Sequence, residues 1–118
     1  MVNAKKETGF VGMWHIYEME LWDEDYFNME VQAYIEIASN GQGSFQFGLV
    51  SGQIDGKVVD YSQVKRFEFT WDGFDECDAV HGSGWIERKE ANIIKGEFRI
   101  HCGDDSKFLA RYHGKCES

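Results

Sequence analysis

Apolar residues recur at every second position through most of this chain, which is the period of a half-buried β-strand. Val31, Ala33, Ile35 and Ile37 alternate with Gln32, Tyr34 and Glu36, predicting a strand from Glu30 to Ala38. Phe45, Phe47 and Leu49 alternate with Gln46 and Gly48 within a strand from Gly43 to Val50. Phe67, Phe69 and Trp71 alternate with Arg66, Glu68 and Thr70 between Val64 and Trp71. Phe98, Ile100 and Cys102 alternate with Glu97, Arg99 and His101 between Ile93 and Cys102. The first strand spans Phe10 to Leu21. It sets Phe10, Gly12, Trp14 and Ile16 on one face, and Val11, Met13, His15, Tyr17 and Met19 on the other. Shorter or glycine-marked segments at Lys57–Asp60, Ala79–Arg88 and Lys107–His113 complete a set of about eight strands.

Turn residues separate these segments. Ser39-Asn40-Gly41 is a turn, and Asp55-Gly56 has the composition of a tight hairpin. Asp72 to Asp78 is expected to form a long acidic turn, with further turns at Lys89–Asn92 and Gly103–Ser106. The stretch Trp22–Asn28 breaks the alternation; a short helical turn or lid capped by Asp23 and a plain loop both fit it. Residues 1–8 are expected to be a disordered lead. No segment is long enough for a crossover helix, so the strands should pair antiparallel in sequence order. The expected fold is all-β: an antiparallel up-and-down meander closed into a barrel, which leaves no exposed edge. At this size the interior is either filled by side chains or holds one small ligand.

A length of 118 residues allows one domain with a real core. The 15% aromatic content favours strands, and with 13 Gly and no Pro the turns fall to Gly, Asn, Asp and Ser. The net charge of −9 argues against nucleic acid and anionic membranes, both of which need basic patches. No apolar run approaches a membrane span, and the polar start MVNAKKETG lacks a signal-peptide core. Cys77, Cys102 and Cys116 are odd in number and contain no C-x-x-C, which points to reduced thiols and a cytoplasmic setting.

The motif Gly12-Met13-Trp14 in the first strand, with Arg111 in the last, resembles the calycin superfamily of lipocalins, fatty-acid-binding proteins and avidins. The resemblance implies that Trp14 seals one end of the barrel and that the Arg111 cation lies across its ring. The stretches FQFGLVSGQIDG, FTWDGFDECD, GSGWIE and HCGDDSKF are similar to a group of short bacterial proteins with no assigned activity. The chain departs from most lipocalins in lacking a signal peptide and paired cysteines.

Candidate chemistry is sparse. His101, Cys102, Asp104 and Asp105 invite a metal, yet His101 and Cys102 are adjacent in a strand and point to opposite faces. Asp72, Asp75, Glu76 and Asp78 offer oxygen ligands without the EF-hand spacing. No nucleophile elbow, phosphate loop or metalloprotease motif occurs, and no cofactor is expected. The leading expectation is non-catalytic binding of a small apolar or amphipathic molecule inside the barrel. Trp14, Tyr34, Phe45, Phe47, Trp85, His101 and Arg111 are the candidate ligand-binding residues. The competing reading is a protein-interaction module with a filled barrel and acidic loops. A third, a barrel-type isomerase or hydrolase, needs a buried His or carboxylate with a shifted pKa. Inward Ala33, Gly48, Gly82 and Gly84 would leave a cavity, whereas inward Phe45, Phe47 and Phe69 would fill it. The oligomeric state is left open.

Overall fold

The computed structural model describes residues 9–114; the expected N-terminal lead and Cys116 lie outside the described residues. Eight strands run in order: β1 (Gly12–Met19), β2 (Tyr34–Ile37), β3 (Gln42–Phe47), β4 (Val50–Asp60), β5 (Lys65–Asp75), β6 (Asp78–Glu90), β7 (Ile93–Ile100) and β8 (Asp105–Gly114). One helical turn, α1 (Glu24–Phe27), lies between β1 and β2. Each strand pairs antiparallel with the next, and β8 returns to β1 to close the barrel. The alternation along each strand divides an apolar interior from a polar exterior, as the period-two pattern requires.

The turns differ from expectation in three places. Asp55-Gly56 is not a hairpin turn: both residues sit inside β4, opposite Thr70 and Phe69 of β5. Gly56 is needed there for close approach, because a Cβ would lie 2.5 Å from the Glu68 carbonyl oxygen and 2.8 Å from the Phe67 ring. The hairpin before β4 is made by Gly48-Leu49 instead, with Gly48 at φ +60°. The long acidic turn is likewise absent. β5 continues to Asp75, and only Glu76-Cys77 turns the chain into β6. Finally, β2 begins at Tyr34 and not Glu30, leaving Val31 exposed in the connection from α1.

A register shift in the β1–β8 ladder between Ile16 and Glu18 reverses the facing of the residues beyond it. Met19, expected on the face opposite Trp14 and Ile16, is therefore buried with them.

Aromatic rings fill the interior. Phe98 lies 4.6 Å from Phe45, 5.0 Å from Phe47 and 4.7 Å from Phe108, ring centre to ring centre. Trp71 meets Phe45 edge-on at 5.1 Å. The small residues that could have left a void accommodate these rings: a Cβ on Gly84 would stand 2.5 Å from Phe69. Both ends are covered as well. At one end Phe10 packs under Phe67, and its carbonyl accepts a hydrogen bond from Trp14 Nε1 at 2.9 Å. At the other, α1 folds over the opening with Asp23 as its N-cap, burying Phe27 and stacking Trp22 on Phe47.

Candidate functional site

The sequence-predicted residues do not converge on one lumen. Trp14, Phe45 and Phe47 face inward and are buried in packing contacts with other side chains. Tyr34 lies between the buried Ala33 and Ile35 and is half-buried on the outer face. Trp85 is also outside, between Gly84 and the buried Ile86. His101 is exposed in the turn between β7 and β8. Arg111 is exposed on β8, with its guanidinium 4.3 Å from the Tyr17 ring. The expected pairing of Arg111 with Trp14 is therefore corrected. Alternation sends Arg111 outward beside the buried Ala110, and the cation near Trp14 is Arg88 of β6, 5.8 Å from the ring. Sequence reasoning misses Arg88 because nothing in local sequence joins the end of β6 to β1.

One polar atom remains without a partner in the interior: Trp71 Nε1 is buried and makes no hydrogen bond among the described residues. It lies against Gly82, where an added Cβ would be 3.0 Å away. Such an orphan donor costs about 1–3 kcal/mol.

A recess of about 730 Å³ lies on the outer wall of β2 to β5. Strand register builds it from two rows of side chains. Glu36, Ser44, Gln53 and Asp72 stand opposite one another across four strands. Gln42, Asp55 and Thr70 form the second row. All seven of these outer-wall side chains line the recess, and among the described residues no Lys, Arg or His lines it. The surface is thus rich in carboxylates, amides and hydroxyls. Sequence alternation marks these residues as outward but cannot show that their strands are neighbours.

Histidines pair on the surface in two places. His15 and His113 stack at 3.9 Å, and His81 and His101 at 4.6 Å. Burial, and then the neighbouring charge of His113, hold the His15 imidazole below its ordinary pKa. The described residues contain no group of three or more His, Cys, Asp or Glu side chains arranged to hold a metal ion. Cys102 sits at φ +61° in the turn after β7, and both Cys77 and Cys102 are free and exposed. No helix among the described residues is long and apolar enough to cross a membrane. Comparison with protein-family models, with curated proteins and with solved structures returns no match to this chain.

Proposed function

We propose that this protein is a non-catalytic interaction module that works through its outer wall, with the β2–β5 recess receiving a basic segment of a partner protein. The observation that carries the reading is the filled interior: Phe45, Phe47, Phe98, Phe108 and Trp71 occupy the space an enclosed ligand would need. A buried apolar ligand would have to displace rings already in van der Waals contact. The outer recess supplies what a cationic partner needs. Asp55 and Asp72 provide negative charge, while Gln42, Ser44, Gln53 and Thr70 provide hydrogen-bonding groups. The net charge of −9 steers such a partner toward the surface.

The closed eight-strand meander, with Trp14 buried near one end beneath an arginine, supports a calycin-like ancestry. The departure is that the cation comes from β6 and not from the last strand. Exposed free thiols at Cys77 and Cys102 support a cytoplasmic setting. Recovery of the chain outside the cytoplasm on cell fractionation would count against that setting.

The test is calorimetric titration with a short Lys/Arg-rich peptide at two salt concentrations. Binding should weaken as salt rises, and it should weaken further in the double variant Asp55→Asn, Asp72→Asn. Undiminished binding by that variant, or no binding at low salt, would overturn the proposal. Native mass spectrometry provides the contrast, since a co-purified apolar molecule would restore the lumen-ligand reading.

A further inference from the structure

A second recess, distinct from the acidic wall, lies on the outer face where β6, β7, β8 and β1 adjoin. Two rows of side chains cross these strands. Register places Glu87, Lys95, Leu109 and Glu18 in one row. Trp85, Glu97 and Lys107 form the next. Glu20 extends that second row, its Oε1 accepting the Lys107 backbone N–H at 3.2 Å. Between the rows is a hollow of about 340 Å³. Trp85, Leu109, Phe108 and Met19 supply its apolar lining. The bulge between Ile16 and Glu18 shapes one side, turning Met19 inward while leaving Glu18 exposed at the rim.

Trp85 is held in place. Its Nε1 donates to Glu97 Oε1 at 3.1 Å, and the Arg66 guanidinium lies 4.2 Å from its ring centre. Arg66 is itself anchored by Glu87, through Nε at 2.8 Å and Nη2 at 2.5 Å. Glu87 also draws Lys95 Nζ to 3.7 Å. The charges at the rim are unevenly used. Lys107 and Glu18, diagonal neighbours across β8 and β1, make no side-chain hydrogen bond or ion pair among the described residues. An oriented indole is thus set beside an apolar floor, with one uncommitted cation and one uncommitted anion at its edge.

We propose that this hollow binds a small aromatic zwitterion of the free aromatic α-amino acid class. The ring rests on Trp85 and Leu109, the carboxylate meets the Lys107 ammonium, and the amino group meets the Glu18 carboxylate. A simple aromatic anion would face Glu18 and Glu20 with nothing to offer them. A simple aromatic cation would face Lys95 and Lys107 in the same way. The volume suits a ligand of this size and not a folded partner.

The test is a backbone-amide NMR titration of the full ¹⁵N-labelled chain with L-phenylalanine, using benzoate and phenethylamine as single-charge controls. The expected result is saturable shifts confined to residues 18–20, 85, 95–97 and 107–109, with a Kd of about 1 mM or tighter. Each control should bind about threefold more weakly or worse, and so should phenylalanine to Lys107→Gln or Glu18→Gln. Trp85→Leu should weaken binding about tenfold. Lys107→Gln and Glu18→Gln alter exposed side chains, so their unperturbed spectra separate lost binding from lost fold. The proposal is overturned by no saturable shift up to about 10 mM, by shifts centred elsewhere, or by either control matching phenylalanine. None of these outcomes bears on peptide binding at the acidic recess.

Discussion

Arg88 makes three contacts at the Trp14 end of the barrel. Its Nε donates to the Gly9 carbonyl at 3.2 Å, its Nη1 donates to the Ala91 carbonyl at 3.1 Å, and its guanidinium lies near the Trp14 ring. From an exposed position, Arg111 lies over the half-buried Tyr17 ring. Arg88→Ala should therefore cost about 1–2 kcal/mol in urea unfolding, and Arg111→Ala about 0.5 kcal/mol. Equal losses would show that the Arg88 contacts contribute nothing beyond an exposed cation. His15 supplies a pH dependence. Its folded-state pKa is depressed below 6.5, so the unfolded chain takes up a proton more readily. Its contribution to stability is complete above about pH 6.5 and is lost as pH falls through the lower folded value. His15→Gln should flatten the fall in urea midpoint as pH drops below about 6.5; an unchanged slope would assign the fall to other groups.

Among the elements, α1 has only four residues and cannot be stable alone. Its position depends on the tertiary contacts of Trp22 and Tyr26. Trp22 stacks 5.2 Å from Phe47, while the Tyr26 ring covers Gly48 and its hydroxyl accepts the Leu49 N–H at 3.3 Å. A Cβ at Gly48 would collide with the Tyr26 ring and would also be strained at φ +60°. Gly48→Ala should lower stability by about 1–3 kcal/mol and loosen the lid, read as increased acrylamide quenching of Trp22 in a variant retaining that tryptophan alone. Asp23→Ala removes the cap to the Tyr26 N–H at 3.3 Å, and should cost about 1 kcal/mol or less without opening the barrel. Unchanged quenching in Gly48→Ala would mean that Tyr26 does not hold the lid.

For the whole molecule, the filled interior makes Phe98 the central packing residue, since its ring contacts Phe45, Phe47, Phe69 and Phe108. Phe98→Ala should destabilise the barrel by about 3–5 kcal/mol. It should also open an apolar cavity that binds benzene-sized molecules, while the parent protein binds none. Xenon or benzene uptake by the parent would show an interior less full than the ring contacts require. At this scale the inward faces are committed to packing, and the polar side chains stand on the outer rows.

The division of each strand into two alternating faces, the antiparallel sequential order and closure into a barrel of about eight strands come from the sequence alone, while which face turns inward was decided by the tertiary structure. A period-two pattern repeated with short connections leaves a closed meander as the arrangement that buries every apolar face and pairs every strand. The cap at Asp23 was legible among the sequence alternatives because its side chain acts locally, on Tyr26. Only the tertiary structure decided where β4 begins. Asp55-Gly56 has turn composition, yet Gly56 serves close approach to Phe67 and Glu68, residues distant in sequence. Only tertiary structure, too, decided that Arg88 faces Trp14, that the bulge buries Met19, and which outer side chains form the two recesses. Alternation is a property of one strand and survives in the sequence. Neighbourhood across strands depends on register and closure, which no local run of residues encodes.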